Sequence, residues 1–453
     1  MTSLWFQSFL LPDGWAEQVR IEIALGRVHS IQPGVSPDSR DECHAIGLPG
    51  IPNIHSHAFQ RGMAGLTEVA GTSGDSFWTW RETMYRFVDA IDRDDVEALA
   101  AFAYLEMLEA GFTRVGEFHY VHHDRGGHHF SDPAEMAGSI AAAAEQVGIG
   151  LTLLPVFYAH SGFGGAAPDQ RQSRFLNDVD SFARLLDHSR RAVSSLDDAV
   201  VGVAPHSLRA VTPAQLASVI GLAEGGPVHI HIAEQWKEVE DCLSWCGRRP
   251  VTWLMDTIEI DDRWCLVHAT HVDLCEIERI AGSGATAGLC PITEANLGDG
   301  IFPAAQFAAL RGSYGIGSDS NVLIDAAQEL RVLEYTQRLA LRARNVMAID
   351  EGRSTGRALL ECALAGGSRA LGFSDCGLRI GTAADLISLD SNHDALTGRA
   401  GDALLDSWIF AARVPAIDSV WRYGRKVVSG GRHRQREEIA SRYRASLKRL
   451  LAV

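Results

Sequence analysis

Two histidines separated by a single residue are the first feature of this sequence that suggests chemistry. They are His55 and His57, at the end of the apolar run that starts at Ile51. Side chains two positions apart on an extended chain point to the same side, so both imidazoles can bind one metal ion. For this pair alone, the alternative is two polar residues that begin a loop.

A second pair, His229 and His231, lies in another apolar run, which starts at Val228. His231 is nearer the predicted C-terminal end of the strand and is the better ligand, whereas we expect His229 to be packed and hydrogen-bonded one layer deeper. Glu234 follows in the next loop, within reach of a group bound to the same ion. An acidic residue there also suits the first turn of a helix, because it interacts favourably with the helix dipole.

Two further apolar runs end in possible ligands. The run that starts at Trp264 ends in His268, and the run that starts at Tyr314 ends in Asp319. An aspartate between serines can equally form a turn. The order of these residues along successive strand ends nevertheless favours a metal site over coincidence. Three nitrogens and one carboxylate suit zinc and leave a place for water.

These residues need a scaffold that brings the ends of strands together. Strand-like and helical segments alternate through the middle of the chain, and we expect a (β/α)₈ barrel of the α/β class, with the site at the C-terminal strand ends. The rival is a doubly wound sheet, but no glycine-rich dinucleotide fingerprint follows the first strand. The predicted strands end near Asn53, Phe118, Val156, Pro205, His231, His268, Cys290 and Gly317.

The two ends of the chain share a character that the middle lacks, namely short alternating segments separated by turns. Each end is too short to fold alone, so we expect residues 1–47 and 377–430 to pair into one small β-sandwich domain. The barrel domain then spans residues 48–376, and residues 431–453 form a C-terminal helix. A helix over Glu97–Ala110 is also predicted, ending at Gly111.

Composition excludes several classes of partner. The net charge of −16 argues against nucleic acids and anionic membranes, which require basic surfaces. No apolar run is long enough to span a membrane and no secretory signal is visible, so we expect a cytoplasmic protein. The eight cysteines follow no framework spacing and are expected to be reduced thiols.

Other polar and aromatic residues receive a structural interpretation. Five histidines follow the second predicted strand and are expected to lie in a solvated loop. The aromatic stretch Phe77–Trp80 is expected to pack beneath a loop without touching a substrate. The five histidines are His119, His122, His123, His128 and His129.

Taken together, the sequence resembles the amidohydrolase superfamily, whose metal ligands follow this order around a barrel. The segment that starts at Gly381 resembles the entry of these enzymes into their C-terminal β-sandwich. Longer blocks resemble the formimidoylglutamate deiminase family, and the resemblance covers nearly the whole chain. These blocks are residues 53–61, 76–81, 117–123, 206–209, 231–235 and 293–300.

The resemblance implies a mononuclear metal site and a hydrolytic mechanism. One zinc ion per subunit is implied, in agreement with the lack of a bridging lysine after the fourth predicted strand. Glu234 would take a proton from water and pass it to the departing nitrogen, His268 would orient or stabilise the attacking oxygen, and Asp319 would assist proton transfer. The implied ligands are His55, His57, His231 and Asp319.

The resemblance also implies the substrate. Zinc-dependent deimination of N-formimidoyl-L-glutamate would give N-formyl-L-glutamate and ammonia, a step of histidine degradation, in a cytoplasmic homodimer. Two arginines suit the two carboxylates of this substrate, because the guanidinium fork donates parallel hydrogen bonds. The match departs at Asn321, where the family pattern favours histidine. The implied substrate-binding residues are Gln60, Arg81, Tyr120, His206 and Arg209.

Two alternatives stay open at this point. The first is an amidohydrolase deaminase that acts on a purine, pterin or triazine ring, whose pocket should favour aromatic stacking and amide contacts over paired arginines. The second is a non-catalytic metal-binding protein of the same fold. The retained ligand set and Glu234 argue against the second.

Overall fold

The computed structural model of the protein describes residues 1–70, 77–374 and 376–452, so Ser76 of the block 76–81 lies outside the described residues. The strands are β1 (Thr2–Leu11), β2 (Gly14–Ala24), β3 (Arg27–Gln32), β4 (Glu42–Pro49), β5 (Ile51–Ser56), β6 (Phe112–His119), β7 (Gly150–Phe157), β8 (Val200–Val201), β9 (Ala204–Pro205), β10 (Val228–Ile232), β11 (Trp264–His268), β12 (Thr286–Leu289), β13 (Ser313–Ile316), β14 (Leu386–Leu389), β15 (Ile417–Arg422), β16 (Arg425–Ser429) and β17 (Arg432–His433). The α-helices are α1 (Phe77–Ala90), α2 (Arg93–Glu109), α3 (Glu135–Val147), α4 (Val179–Ala192), α5 (Pro213–Gly221), α6 (Trp236–Cys246), α7 (Pro250–Thr257), α8 (Leu274–Ser283), α9 (Pro291–Leu297), α10 (Ala304–Ala309), α11 (Ala326–Leu341), α12 (Thr355–Ala370), α13 (Asp402–Phe410) and α14 (Arg436–Leu450).

Strands from both ends of the chain form one sheet, in the order β17-β16-β15-β14-β4-β1-β2-β3. β4 joins the two halves, because it pairs in parallel with β1 and antiparallel with β14. Alternate residues of β1 and β2, such as Phe6 and Ile21, pack against Leu386 and Trp421 in a core of their own. The predicted small β-sandwich domain, built from both chain ends, is confirmed.

The elements near the expected domain boundaries have definite limits. β4 ends at Pro49 and the first barrel strand starts at Ile51. At the other end, Arg432 and His433 still pair with β16, and α14 begins only at Arg436. The division of the chain at residues 47, 376 and 430 stays a prediction.

The middle of the chain forms the predicted barrel of parallel strands. β5 to β8 form one run, β9 pairs with β7, and β10 to β13 form a second run. Bridges between Val203 and Val228 and between Ser56 and Asp319 join the two runs on either side. Every residue of β6 and β7 is buried, as expected for parallel strands covered on both faces. This burial explains the nearly continuous apolar sequence of β7, whereas β6 also buries polar side chains such as Arg114 and Glu117.

The closure between the first and last barrel strands requires a glycine. A Cβ atom on Gly317 would lie 2.9 Å from both the main-chain nitrogen and the main-chain oxygen of His55. Only a residue without a side chain allows this approach, and it brings Asp319 beside His55 and His57.

Helices cover the barrel, and their starts follow sequence signals. α2 begins after Asp92, whose side chain accepts a hydrogen bond from the main-chain nitrogen of Asp95 in a capping box. The C-terminal helix α14 packs against α2, with the rings of Phe102 and Tyr443 stacked at 4.1 Å. The eight cysteines are free thiols, as expected.

Candidate active site

Four side chains from three strand ends converge at the C-terminal end of the barrel. The Nε2 atom of His55 lies 3.2 Å from Nε2 of His57 and 3.0 Å from Nε2 of His231. Oδ1 of Asp319 lies 3.5 Å from Nε2 of His55 and 3.4 Å from Nε2 of His57. Each residue offers one ligand atom, and these four atoms lie within 4.8 Å of one another.

The second ring nitrogens determine which atoms face this centre. Nδ1 of His57 donates to the main-chain oxygen of Phe118 at 2.9 Å, and Nδ1 of His231 donates to that of His206 at 3.1 Å. A neutral imidazole carries one N–H group, so both Nε2 atoms present lone pairs to the centre. Lone pairs held this close repel one another unless a cation lies among them, and the donor set therefore fits a divalent metal ion.

The protonation states agree with this assignment. Burial lowers the pKa of His57 to about 3 and lowers those of His55 and His231 below the ordinary value. Burial opposes ionisation of Asp319, but its hydrogen bond to His55 and the neighbouring histidines outweigh burial and lower its pKa. Neutral imidazoles beside an ionised carboxylate are the state in which these groups bind a metal ion.

Unusual backbone conformations follow the strands that carry these groups. Ala233, Ala269 and His268 have φ angles of 50°, 47° and 66°, and Asp319 and Asn321 have φ angles of 43° and 55°. Non-glycine residues rarely adopt positive φ, and such conformations cluster at functional sites, where the surrounding structure holds them. Here they turn the chain sharply at the ends of β10, β11 and β13.

Glu234 and His268 lie beside the four converging side chains. Nε2 of His268 lies 3.7 Å from Oε1 of Glu234 and 3.7 Å from Oδ2 of Asp319. Burial raises the pKa of Glu234 to about 7. Burial alone would lower the pKa of His268, but the charge of Glu234 and a hydrogen bond to Glu294 outweigh burial and raise it to about 10. A carboxyl group with a pKa near neutrality can both accept and return a proton.

Two arginines line the same cavity. Nη2 of Arg81 donates to the hydroxyl of Tyr85 at 2.5 Å and to that of Tyr158 at 3.3 Å. Nε of Arg209 is buried without a hydrogen-bond partner in the described part of the chain. Both guanidinium groups lie beside the ring of Trp78, at 5.6 and 5.8 Å from its centroid. Arg81 is bonded to neutral hydroxyl groups, and Arg209 has an Nε–H donor that is not used. Both features favour an anionic ligand.

Three neutral polar side chains complete the wall. Nε2 of Gln60 donates to the hydroxyl of Tyr120 at 2.9 Å, and Oε1 of Gln60 has no partner among the described residues. Burial raises the pKa of Tyr120 above its ordinary value, so the hydroxyl stays protonated. Burial and the charges of Arg209 and Arg81 lower the pKa of His206 far below its usual range.

All these groups belong to one cavity of about 630 Å³, which includes space open to solvent. Ten of the eleven expected site residues line it, and His55 lies fully buried beneath them. Tyr158 was not predicted, although it directly follows β7 and the strand-end rule would have found it; Tyr85 lies one helical turn after Arg81. The unpredicted lining residues are Phe77, Trp80, Met84, Tyr85, Tyr158, Phe175, Leu297 and Ser320.

One structural interpretation of the sequence was wrong for three of the five histidines that were expected in a solvated loop. His119 is buried at the end of β6, and His122 and His123 are buried where their main-chain nitrogens donate to the main-chain oxygen of Arg174; His128 and His129 are exposed. Nε2 of His122 donates to the main-chain oxygen of Val156 at 2.8 Å, and Nε2 of His123 donates to that of Leu176 at 2.7 Å. Within the aromatic stretch Phe77–Trp80, Phe77 and Trp80 line the cavity beside Arg81, and Trp80 also lies beside residues 66–70 of the preceding loop. That this stretch makes no substrate contact stays a prediction.

Comparison with known proteins assigns the family. Residues 46–427 match the amidohydrolase family model, and residues 1–45 match the model of the N-terminal domain of formimidoylglutamate deiminase HutF. The chain is 49% identical over 453 residues to formimidoylglutamate deiminase of Pseudomonas aeruginosa, covering 100% of both proteins. The chain belongs to the formimidoylglutamate deiminase family.

Solved structures agree with this membership. An amidohydrolase from Brucella melitensis is 55% identical, with a TM-score of 0.97 and 100% of both chains covered. An adenosine deaminase from Xanthomonas campestris with bound zinc is 22% identical, with a TM-score of 0.81 over 100% of this chain and 99% of that one, and is similar in fold.

Membership of the formimidoylglutamate deiminase family has direct consequences. The chain is a hydrolytic enzyme that acts on a C–N bond of a small molecule, and it carries the buried His/His/His/Asp group. Among the described residues, no helix is both long and apolar enough to cross a bilayer.

Proposed function

We propose that this enzyme hydrolyses N-formimidoyl-L-glutamate to N-formyl-L-glutamate and ammonia, as a step of histidine degradation. One observation carries this function: the two arginines line the same cavity as three of the four converging ligand residues, with the fourth, His55, directly beneath it. An amidine carbon can therefore lie at the metal centre while the carboxylates of the same molecule reach the guanidinium groups.

The proposed metal is one zinc ion per subunit, held by His55, His57, His231 and Asp319. Three nitrogens and one carboxylate are ligands that zinc prefers. When bound, zinc supplies a hydrolytic nucleophile at neutral pH, because it lowers the pKa of water to about 7.

Proton transfer is assigned to Glu234 and His268. Water adds to the amidine carbon, and the bond from that carbon to the terminal nitrogen then breaks. The Glu234 carboxylate accepts one proton from the attacking water and passes it to the terminal nitrogen. It then takes the second proton from the new hydroxyl group, which becomes the carbonyl, and passes it to the same nitrogen, which leaves as ammonia. His268, with Nε2 3.7 Å from both Glu234 and Asp319, faces the same space and can stabilise the negative charge that develops on the attacking oxygen.

Substrate binding is assigned to Arg81 and Arg209, with help from Gln60, Tyr120 and His206. The arginines receive the two carboxylates. The free carbonyl oxygen of Gln60 is available to accept from an N–H group of the substrate. A deaminase of purine, pterin or triazine rings is less well supported, since a neutral ring offers no carboxylate to the two arginines that line the cavity.

The test of this function is ammonia release. The wild-type enzyme should release ammonia from N-formimidoyl-L-glutamate and not from guanine; activity on guanine alone would overturn the assignment. Glu234→Gln should abolish turnover with zinc still bound. The matched control is Glu238→Gln: this carboxyl group, one turn further on, is also buried, but it accepts from the main-chain nitrogen of Ala233 and does not line the cavity. Its turnover should be retained.

We place the enzyme in the cytoplasm as a homodimer, with a barrel domain over residues 48–376 and a sandwich domain over residues 1–47 and 377–430. The dimer follows from the family resemblance. Light scattering should give twice the mass of the chain, and the mass of one chain would contradict the dimer.

A further inference from the structure

The segment 293–300 after β12 carries a carboxylate that contacts the proposed proton-transfer machinery. Glu294 lies on α9, and 6% of the residue is exposed. Its Oε1 atom accepts from the main-chain nitrogen of Cys290 at 2.9 Å and from Nδ1 of His268 at 3.2 Å. The same oxygen of Glu294 therefore binds both the start of α9 and the imidazole of His268.

The other end of the His268 ring faces the reacting groups. Nε2 lies 3.7 Å from the carboxylates of Glu234 and Asp319, and the ring is stacked on that of His231 at 5.6 Å. Stacking limits tilting of the ring, but a half-turn about the Cβ–Cγ bond returns the ring to the same plane with Nδ1 and Cδ2 exchanged, and only contacts to the ring atoms prevent it. The hydrogen bond from Nδ1 to Glu294 supplies that constraint.

We propose that Glu294 is a positioning residue for His268, a role that rests on the proposed function of His268. A carboxylate can only accept at this position, so Nδ1 carries a proton whether the imidazole is neutral or charged. Nε2 is then the only ring nitrogen that can exchange a proton or bind the substrate. Carboxylates that orient an active-site histidine through its second nitrogen act in this way in metal sites and in hydrolase triads.

The chain offers a matched control for a merely structural effect. Glu329, on α11, is fully buried, and its Oε2 atom accepts from the main-chain nitrogen of Ile292 at 2.9 Å, so it holds the same helix α9. Its Oε1 atom has no hydrogen-bond partner in the described part of the chain. Both glutamates hold the start of α9, and Glu294 alone of the two is bonded to His268.

The experiment compares two neutral replacements of similar length in the zinc-loaded enzyme. In Glu294→Gln, the amide oxygen can still accept a hydrogen bond from Nδ1 of His268. In Glu294→Met, the side chain offers no comparable acceptor. We expect Glu294→Met to lower kcat by about 10- to 100-fold with KM and zinc content unchanged. Glu294→Gln should retain most of kcat, and Glu329→Met should keep kcat near the wild-type value.

Three outcomes would overturn the positioning role: full kcat in Glu294→Met, no advantage of Gln over Met, or an equal loss in Glu329→Met. A second readout does not depend on activity. This readout is ¹⁵N NMR of enzyme with ¹⁵N-labelled histidine, in which the His268 signal is assigned by its loss in His268→Asn. We expect Nδ1 of His268 to be protonated in the wild type and in Glu294→Gln. An unchanged His268 signal in Glu294→Met would also refute the role. If the wild type releases no ammonia from N-formimidoyl-L-glutamate, the proposed function fails while this signal still decides the positioning role.

Discussion

The side-chain amide of Asn321 donates a hydrogen bond to the main-chain oxygen of Asp319 at 3.1 Å. The same nitrogen donates to the main-chain oxygen of His57 and to the hydroxyl of Ser56, each at 3.1 Å. One amide therefore connects the turn that carries the metal-facing carboxylate to the strand that carries the first histidine pair. Asn321 does not line the cavity; it supports the proposed metal ligands His57 and Asp319 from behind.

Replacing Asn321 by alanine should weaken metal retention. It leaves three acceptors without their donor, and it places alanine at a φ of 55°, which asparagine tolerates better. We expect about a 10- to 100-fold loss of zinc affinity, measured by competition with a chromophoric chelator. The control is Asn345→Ala, which has a similar φ of 54° but bonds to Arg338 outside the cavity. Equal zinc retention in both variants would contradict this support role.

Removal of the metal should lower thermal stability. The four converging ligand atoms, which lie within 4.8 Å of one another, then lose the cation that they bind. Any ligand that binds only the native state stabilises it, by about 2.7 kcal/mol at a concentration 100 times its Kd. Melting curves should therefore shift down with a chelator and recover with added zinc. The variant His55→Asn should melt at the same temperature with and without the chelator; a chelator response in that variant would place the ion elsewhere.

Replacing Arg81 by methionine should raise KM for N-formimidoyl-L-glutamate with a smaller effect on kcat. Hydrogen bonds to charged groups contribute about 1.5–3 kcal/mol, which corresponds to an increase in KM of about 10- to 100-fold. The matched control is Arg86→Met on the same helix, because Arg86 is exposed, bonds to Thr83 and does not line the cavity. Steady-state kinetics of both variants test this prediction. An unchanged KM in Arg81→Met would show that Arg81 does not bind the substrate.

The stability of the protein should depend on Glu117. Burial raises the pKa of this carboxyl group from 4.5 to about 7. Between these two pH values the group is therefore protonated in the native state and ionised in the unfolded state. Stability linked to Glu117 is complete below pH 4.5 and is lost as the pH rises through about 7. Glu117→Gln keeps an oxygen that can accept from the main-chain nitrogen of Ala58 and has no such loss.

Urea denaturation at pH 5 and pH 8 tests this dependence. The free energy of unfolding of Glu117→Gln, relative to the wild type, should rise between the two values by up to about 3 kcal/mol, from 1.36 kcal/mol per pKa unit. Both proteins must be saturated with zinc, so that the pH dependence of metal binding cancels in the difference. The same difference at both pH values would show that Glu117 is not protonated in the native enzyme.

The strand ends could be predicted because their signals are local. A parallel strand buried on both faces is a short, mostly apolar run, and polar residues at its C-terminal end are candidates for the site. Alternation with a period of two then places His55 and His57 on one side of β5. The same rule assigned His229 to a packed position, and its Nε2 does donate to the main-chain oxygen of Ala370 at 2.7 Å. The family resemblance supplied the roles of the arginines, which spacing alone does not indicate.

The tertiary structure decided whatever depends on contacts between distant segments. The burial of His122 and His123 depends on a later loop that covers them, and the approach of Glu294 to His268 depends on two separate strands ending side by side. Neither contact leaves a periodic pattern in the sequence. The residues that meet lie on segments far apart in the chain, and they come together only when the barrel closes. The sequence by itself determined which residues stand at the strand ends; closure of the barrel, with Gly317 against His55, determined which of them meet.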